Sequence, residues 1–439
     1  MRPDRAAQPP VRLPRGWLAC LVAVRLALVA AQPFLAARVP EWAWANNDGY
    51  DLIALNWVET GVYSLDRGVP TALRLPLYPA LIAVAVRVAG SAYPWVVMGM
   101  QAALSVWTGC LLFRMAADLF GRRAGLAAFA LFLVHPQVNH FVFRCATETL
   151  FTCGVVLLAH EAVRFLRDRR LRPLLGAAAA LGLSLLTRQT LLPLAWAGGL
   201  ALVGWSFGDR REIGRRLGWT AAAAATTLLL LAPWLARNRI RSGGEWGLQT
   251  WTGQPLCQGA HVTRHLDEFF SGRKSLTELD QACLAEIQVL EKRFVRTLPP
   301  GTDGIAREIA SDRYFRERAR QLAARAPMDR ARRTVRNLLW APVLQMTWRS
   351  TRILMLCNWP LLALGLWGAA VCAWKTPRKL LEASPVLVLF GYVWFAHAAT
   401  WPQARYILPG LVPFLAFSGS GLACVLAWLG ERIGRKTVR

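Results

Sequence analysis

The chain is too apolar and too poor in charge for an ordinary soluble protein. Its 439 residues are 55% hydrophobic and only 18% charged, whereas about a quarter of the residues in a soluble domain are charged. The net charge of +26 comes from short arginine and lysine clusters between apolar runs, which is typical of the cytoplasmic loops of membrane proteins. No nucleic-acid-binding motif accompanies these clusters, so we expect no nucleic-acid partner.

Apolar runs long enough to cross a bilayer, about 17–25 residues, predict an all-α polytopic membrane protein with about ten transmembrane helices. The predicted spans cover about residues 17–37, 95–119, 124–142, a run from 148 to the basic stretch 164–170, two short spans within 173–207, and then 217–235, 353–374, 386–400 and 407–429. Basic residues precede the first span and follow the last, so both termini are expected in the cytoplasm. The basic residues before the first span are Arg2, Arg5, Arg12 and Arg15.

The first loop outside the membrane, residues 38–94, is unusually rich in carboxylates and aromatic side chains. A short apolar stretch, 77–90, contains Arg87 and is expected to form a helix at the membrane interface. Glu59 and Asp66 are interpreted as ordinary loop charges. Asp48 and Asp51 lie at the start of a predicted helix, beside the lipid surface.

A carboxylate in that position suits the removal of a proton from an acceptor hydroxyl, provided that partial burial raises its pKa. Asp48 is therefore a candidate general base, and Asp51 is a second candidate. The structural alternative for Asp48 is the N-cap of a helix beginning at Gly49 or Tyr50. For Asp51, the alternative is a solvated helix face.

A polar stretch of roughly 100 residues interrupts the apolar pattern and is expected outside the membrane. It contains a capping box at Ser275 and Glu278, a second predicted helix over 305–325, and an arginine-rich amphipathic segment over 329–340 that returns to the bilayer. The predicted division is an N-terminal transmembrane catalytic module (1–237), an extracytoplasmic, mostly helical segment (238–340) and C-terminal transmembrane helices (341–439).

Several polar residues at the outer membrane edge are candidates for substrate binding. Arg74 with Tyr78 can shape a phosphate site, because a guanidinium matches phosphate oxygens; the alternative is an interfacial anchor. Glu148 is a candidate at the start of a span, with an intrahelical pair to Arg144 as the alternative. Arg188 is weighed against snorkelling to the interface.

Two further outer turns supply candidates from later in the chain. Arg237 and Asn238 follow a Pro-Trp pair, and Arg405 precedes Tyr406 in the last outer turn. A fixed arginine near a lipid-phosphate leaving group stabilises the transition state more than the ground state. Arg405 is the first candidate for that role, and its alternative is again interfacial anchoring.

The order of short motifs resembles bacterial membrane glycosyltransferases of the protein-mannosyltransferase and aminoarabinose-transferase type, which have the GT-C fold. The motifs are an acidic outer loop closing in Arg-x-Pro-x-Tyr-Pro (74–79), Thr-Glu (147–148), Leu-Thr-Arg (186–188), Pro-Trp-x-x-Arg-Asn (233–238) and Arg-Tyr-x-x-Pro (405–409). The segment from Asp312 to Pro327 also looks like the one that these proteins carry before they re-enter the membrane. The resemblance covers most of the chain.

The resemblance implies a polyprenyl-phosphate sugar donor, an acceptor at the outer face of the membrane, and inversion at the anomeric carbon. It places the catalytic base at an acid of the first outer loop, which maps to Asp48. Asn46 and Asn47 precede it where relatives place the acid slightly differently, so Asp51 stays open. Some members of the broader fold use a divalent cation, Mg or Mn.

No cluster of metal ligands is recognisable in the sequence. Neither a Cys-x-x-Cys pair nor a Cys/His ligand spacing occurs. His135, His140 and His397 lie near outer ends and favour structural hydrogen bonding. Cys257 and Cys283 lie in the polar segment, and a disulfide between them is one of two open alternatives.

The resulting hypothesis is an inner-membrane glycosyltransferase of bacteria with its active site on the outer face. Its acceptor is a cell-envelope glycan, lipid or protein, and its other partner is membrane lipid. A transporter or lipid flippase is the main alternative, and it predicts ionisable residues near mid-span and paired repeats. A non-enzymatic membrane subunit is the third, and it predicts no preference for acids and arginines at the outer edge.

Overall fold

A computed structural model describes residues 12–38, 44, 48–302 and 304–436, with side chains up to Arg432. Arg2, Arg5, Asn46 and Asn47 lie outside the described residues. Within them the regular secondary structure is helical, and the sole strand-like feature is an isolated bridge between Ser64 and Pro70.

The helices follow one another with short connections. In chain order they are α1 (Arg15–Arg38), α2 (Tyr50–Thr60), α3 (Leu77–Ala89), α4 (Tyr93–Phe120), α5 (Arg122–Val134), α6 (Pro136–His140), α7 (Glu148–Asp168), α8 (Leu171–Leu185), α9 (Leu192–Phe207), α10 (Ile213–Arg241), α11 (Gly253–Val262), α12 (Leu266–Phe270), α13 (Leu276–Val295), α14 (Gly304–Ala324), α15 (Pro327–Trp340), α16 (Trp348–Lys375), α17 (Pro377–Ala399) and α18 (Ala404–Lys436).

The chain is a multi-pass membrane protein. Among the described residues, eight helices are long and apolar enough to cross a bilayer, where α3 and α4 count as one continuous run, and α8 is a shorter apolar helix. The class predicted from the sequence, an all-α polytopic membrane protein, is confirmed. The predicted number of ten spans stays a prediction.

The third predicted span ends earlier than the sequence suggested. Instead of running over 124–142, helix α5 stops at Val134, His135 is extended (φ −65°, ψ 120°), and the short helix α6 begins at Pro136. Proline has no N–H to donate and disfavours a helical conformation at the residue before it. The chain therefore breaks at His135, and the expectation of one continuous helix there is wrong.

Helix α18 lies at the centre of the bundle and packs against α4, α5, α7, α16 and α17. Its contact with α16 is backbone against backbone: a Cβ atom on Gly421 would collide with the carbonyl of Leu364, and one on Gly368 with that of Phe417. Small residues allow such close approach between membrane helices. The centre of the bundle is thus held by van der Waals packing over a narrow seam.

One arginine is buried in the first helix, and the sequence interpretation overlooked it. Arg25 is 1% exposed; its Nε donates to Ser105 (2.9 Å) and its Nη1 to Asn139. An ionisable group inside a span requires such partners because lipid supplies none. Arg25 ties α1 to α4 and α6.

The polar segment, residues 242–347, has a small hydrophobic core of its own and packs on the bundle. The predicted capping box is present: Ser275 accepts from the Glu278 N–H, and Glu278 accepts from the Ser275 N–H (2.6 Å). The second predicted helix corresponds to α14 and the amphipathic segment to α15. Glu308 on α14 accepts from Thr71 and from the Ala72 N–H (2.9 Å), which fastens this segment to the first loop.

Candidate functional site

A tight turn separates Asp48 from helix α2. Gly49 stands at the N-cap with a left-handed conformation (φ 75°), and α2 begins at Tyr50. Asp48 therefore precedes the cap, and its interpretation as the N-cap residue is wrong. A side chain at residue 49 would be strained by the positive φ and would also press on Leu65.

Arg74 holds Asp48 from the far end of the first loop. Its Nε donates to the main-chain carbonyl of Asp48 (2.8 Å), and its Nη2 lies 3.7 Å from the Asp48 carboxylate. The guanidinium also lies over the rings of Trp251 (4.9 Å) and Tyr50 (5.4 Å). Because Trp251 comes from the polar segment, this single contact joins that segment to the candidate base.

Three further arginines act on Asp48 from other parts of the chain. We call them, with Arg74, the arginine cluster, whose members are Arg74, Arg144, Arg188 and Arg405. Burial alone would raise the pKa of Asp48, but the positive charges of the cluster outweigh it and lower the pKa below its usual value. The raised pKa expected of a partly buried base is thus absent from this state of the protein, in which the carboxylate is held ionised.

Asp51 lies in a different environment, although it is only three residues away. Its carboxylate accepts from the Leu52 N–H (2.6 Å) and lies 3.4 Å from the hydroxyl of Tyr93. Burial raises the pKa of Asp51, and no arginine is among the charges that act on it. The turn at Gly49 directs the two candidates toward different neighbours.

Arg188 and Glu148 form a buried ion pair. The Nη2 of Arg188 lies 2.7 Å from the Glu148 carboxylate, and its Nε donates to Thr147 (2.7 Å). The Glu148 side chain is 2% exposed. Helix α7 begins at Glu148, so Arg144 lies before the helix, and the alternative of an intrahelical pair between them is wrong.

Tyr406 contacts two arginines of the cluster, Arg188 and Arg405, and also His397. Its ring stacks on His397 (centroids 5.1 Å apart) and lies under the guanidinium of Arg188 (5.4 Å), while its hydroxyl accepts a hydrogen bond from Arg405. The Nε of Arg405 is buried and has no hydrogen-bond partner among the described residues. One donor of this arginine is therefore left without an acceptor in this part of the structure.

Three predicted binding residues form hydrogen bonds within the protein. Tyr78 is fully buried, with its hydroxyl 3.2 Å from Gln101. Arg237 donates to the carbonyls of Thr71 (2.7 Å) and Tyr63 (3.2 Å). Asn238 is buried and donates to carbonyls of the chain that follows α10. These hydrogen bonds hold the three side chains in place and stabilise the surroundings of the site.

An aromatic cleft opens beside the first loop, with a volume of about 390 Å³. Trp57, Tyr63 and Trp234 form much of its wall, with Leu230 from α10, and Arg237 lies at its edge. The Tyr63 hydroxyl donates to the carbonyl of Arg74 (3.0 Å), so the cleft adjoins the arginine cluster.

The donor set does not fit a divalent cation. Mg²⁺ and Mn²⁺ favour several oxygen ligands, but the carboxylates of the site are Asp48, which lies in a strongly positive field, and Glu148, which is paired with Arg188. Among the described residues, no three His, Cys, Asp or Glu side chains lie close enough to hold a metal.

The thiols of Cys257 and Cys283 are both buried in the polar segment and are not bonded to each other.

Sequence reasoning missed Arg144, Tyr50 and Trp251 as parts of the site. Arg144 was weighed only as a partner for Glu148. The sequence could have marked Arg144 as a candidate site residue because it lies in an irregular stretch just before α7, beside Cys145 and Thr147. Nothing in the sequence pointed to Trp251, because a contact with Arg74 across a separation of 177 positions depends on the fold.

The arrangement of helices defines the class of protein: the chain has the GT-C fold of membrane glycosyltransferases. The oligosaccharyltransferase of Archaeoglobus fulgidus superposes on 97% of the chain with a TM-score of 0.55 and 14% identity. A second structure of that archaeal enzyme, AglB in complex with an inhibitory peptide and a dolichol-phosphate, gives a TM-score of 0.54 at 13% identity, again over 97% of the chain. In both cases the match covers 52% of the other protein, so the chain spans about half the length of the archaeal enzymes that it resembles.

Sequence comparison gives the more particular resemblance. The family model of dolichyl-phosphate-mannose-protein mannosyltransferases matches residues 70–236, which is less than half of the chain. The comparison with solved structures also finds ArnT from Cupriavidus metallidurans bound to undecaprenyl phosphate, with 13% identity and a TM-score of 0.41 over 93% of this chain and 78% of ArnT. A comparison with curated protein sequences finds no match. The range matched by the family model, residues 70–236, contains Arg74, Arg144, Glu148 and Arg188.

Proposed function

We propose that the chain is an inverting glycosyltransferase that moves a sugar from a polyprenyl-phosphate donor to an acceptor in the cell envelope, a glycan, lipid or protein. The proposal places it in the inner membrane of a bacterium, with both termini in the cytoplasm and Asp48 on the outer face. It keeps the three-part division at residues 237 and 340, in which the extracytoplasmic part, 238–340, covers the site.

The charge balance around Asp48 carries this proposal. Four arginines surround two carboxylates, Asp48 and Glu148, so the site has two positive charges in excess. The polyprenyl phosphate that leaves is a phosphate monoester and carries up to two negative charges at neutral pH, one more than the donor, in which the phosphate is a diester. Planar guanidinium groups bind phosphate oxygens at two points each, and the unpartnered Nε of Arg405 offers one such donor.

The proposed reaction assigns a role to each member of the site. The acceptor hydroxyl gives its proton to the Asp48 carboxylate as its oxygen bonds to the anomeric carbon. The bond from that carbon to the phosphate oxygen breaks, and the bonding electrons leave with the polyprenyl phosphate. The arginine cluster stabilises the negative charge that develops on the leaving group more strongly in the transition state than in the bound donor.

The lowered pKa of Asp48 is compatible with this role once the donor is bound. A phosphate among the same arginines opposes their effect on Asp48, so the pKa of the carboxylate rises in the complex. A carboxylate that is a poor base in the free protein thereby becomes a better one when the sugar is in place. Asp51, without arginines around it, would gain much less from donor binding.

The aromatic cleft supports a polyprenyl donor in particular. Its wall is largely apolar, it adjoins the arginine cluster through Tyr63, and its volume of about 390 Å³ accommodates several isoprene units of a lipid chain. The dolichol-phosphate bound to the archaeal AglB and the description of the matching family model point to the same class of donor.

The test is sugar transfer by detergent-purified protein with a panel of synthetic polyprenyl-phosphate sugars and envelope extract as acceptor. We expect Asp48→Asn to be folded and about 10²-fold or more slower, since general-base catalysis contributes about that factor. Glu59→Gln is the matched control, because this exposed carboxylate near the end of α2 has Arg67 (3.3 Å) as its ion-pair partner among the described residues.

Asp51→Asn distinguishes the second candidate. If Asp51→Asn is slow and Asp48→Asn retains full activity, the base is Asp51. If the wild type consumes no donor of the panel, the proposed activity is refuted and a lipid-translocation assay tests the alternative of a transporter or flippase.

A further inference from the structure

A carboxylate of α14, that of Glu308, binds two separate pieces of chain beside the Asp48 site. Its Oε2 accepts from the Ala72 N–H (2.9 Å) and from the Thr250 hydroxyl (2.7 Å), and its Oε1 accepts from the Thr71 hydroxyl. The two pieces are also bonded to each other, since the Thr250 N–H donates to the Ala72 carbonyl (3.0 Å). One side chain of the polar segment thus joins the first loop to the chain that precedes α11.

Both pieces of chain lead directly to Arg74. Ala72 lies two residues before it, and Trp251, which follows Thr250, places its ring 4.9 Å from the Arg74 guanidinium. Two residues of extended chain span at most about 7 Å, so the backbone of Arg74 can move little while Ala72 is bound. Glu308 therefore restrains Arg74 twice, through its backbone and through the ring against which its side chain packs.

The chain that carries Trp251 has a second support on α14. Asp312, one helical turn after Glu308, accepts from the N–H groups of Thr252 (2.7 Å) and Gly253 (2.6 Å). Residues four positions apart are neighbours on the surface of a helix, so the two carboxylates bind the chain on both sides of Trp251. The backbone at this ring is consequently fixed by α14.

The effect of Arg74 on Asp48 depends on where its guanidinium is held. The Nη2 of Arg74 lies 3.7 Å from the Asp48 carboxylate, which is longer than a hydrogen bond, and its Nε donates to the main-chain carbonyl (2.8 Å). The charge of Arg74 therefore acts on the carboxylate through space, and a Coulomb interaction weakens with distance. A displaced guanidinium would change the proton affinity of the candidate base.

We propose that Glu308 is a positioning residue for the proposed reaction, because it fixes Arg74 relative to the Asp48 carboxylate through residues 71–74 and through Trp251. The proposal rests on the glycosyltransferase function proposed above and adds a residue of the polar segment to its machinery. In this way a segment outside the arginine cluster helps to set the electric field at the base.

The test is the pH profile of kcat/KM for a polyprenyl-phosphate sugar that the full-length wild type consumes, compared with that of Glu308→Gln. Two effects of this substitution have opposite signs. The loss of a negative charge would by itself lower the pKa of Asp48, whereas the displacement of Arg74 would raise it. We expect the acid limb to move to higher pH by about 0.5 unit or more, since a unit charge about 4 Å from a carboxylate has an effect of that size even in water.

Three further variants make the result specific to Arg74. Glu317→Gln removes an exposed carboxylate of the same helix, which pairs with Arg320 (2.7 Å), and should leave the acid limb in place. Thr250→Val keeps the shape of the side chain and removes one hydrogen bond to Glu308, so it should move the limb in the same direction by a smaller amount. Arg74→Gln/Glu308→Gln should have the limb of Arg74→Gln alone, because Glu308 then has no arginine to position.

An unchanged or lowered acid limb in Glu308→Gln would overturn the proposal, and so would a further shift in the double variant. A merely structural role predicts an unmoved limb, because loss of active protein changes the height of the profile and not the position of its acid limb. Circular dichroism and gel filtration establish folding. If Glu308→Gln does not fold, Thr250→Val decides, and an unmoved limb in that variant overturns the proposal.

A second measurement does not depend on catalysis. Hydrogen exchange followed by mass spectrometry reports on the N–H groups of Ala72 and Thr250. Both should exchange about tenfold faster or more in Glu308→Gln, because hydrogen bonds to a charged group are lost, and Glu317→Gln should match the wild type. Equal exchange in Glu308→Gln and the wild type would refute only the positioning. A wild type that consumes no donor of the panel would instead refute the function proposed above.

Discussion

Replacing Arg188 by Gln should destabilise the protein because it leaves the Glu148 carboxylate buried without its partner. The Glu148 side chain is 2% exposed and its ion pair with Arg188 measures 2.7 Å. Removing one member of such a buried pair costs about 3–5 kcal/mol. With about 2.1 cal/mol/K of unfolding entropy per residue, 1 kcal/mol corresponds to about 1 °C in Tm for a chain of 439 residues. We therefore expect Arg188→Gln to lower Tm by about 3–5 °C.

The double-mutant cycle separates the ion pair from other effects of the substitution. Glu148→Gln keeps an amide that still accepts from Arg188, and its cost should be closer to the 1.5–3 kcal/mol of a charge-assisted hydrogen bond. Arg188→Gln/Glu148→Gln contains no isolated charge, so it should be less destabilised than the sum of the single variants. Thermal unfolding in one detergent, followed by circular dichroism, measures all four proteins. Strict additivity of the Tm changes would refute the buried pair.

Two more outcomes follow from contacts around the site. Arg74→Gln removes one of the charges that lower the pKa of Asp48, so the acid limb of the pH profile of kcat/KM for the donor should move to higher pH. Arg67→Gln, an exposed substitution in the same loop, should leave that limb in place. An unchanged acid limb in Arg74→Gln would contradict the assignment of Asp48 as the base. Asp312→Ala removes the buried carboxylate that accepts from the Thr252 and Gly253 N–H groups (2.7 and 2.6 Å) at the start of α11. Hydrogen exchange of the α11 amides should therefore accelerate by about tenfold or more. Exchange rates like those of the wild type would show that the capping contact is unimportant.

The sequence was sufficient for the elements whose signals are local. The capping box at Ser275 and Glu278 predicted the start of α13 because both hydrogen bonds form within one turn. The apolar runs located the long membrane helices for the same reason. The break at His135 was also encoded locally, by Pro136, but an apolar run on both sides outweighed that signal.

The composition of the Asp48 site was only partly predictable. Arg74, Arg188 and Arg405 could be proposed because each lies beside a recognisable motif at a helix end. Their common action on Asp48, and the participation of Arg144, depend on how α4, α7, α8 and α18 pack. Arg25 shows the same limit, because its partners Ser105 and Asn139 come from two other helices.

The distinction between Asp48 and Asp51 required three dimensions for a specific physical reason. The residues are three positions apart and have the same side chain, so no pattern in the sequence separates them. In the fold, the left-handed Gly49 turns Asp48 toward the arginines, while Asp51 stays with Tyr93. The pKa of one carboxylate is consequently lowered and that of the other raised.

In the proposed mechanism, this difference also sets the order of events. A negative charge about 8 Å from Asp48, at an effective dielectric constant of about 20, changes the carboxylate energy by about 2 kcal/mol, or about 1.5 in pKa. The donor phosphate is a diester and supplies one such charge in the arginine cluster. Asp48 therefore becomes an effective base only after the donor has bound, and an acceptor that arrives first meets a carboxylate too weakly basic to activate it. The four arginines thus couple donor binding to acceptor activation through charge.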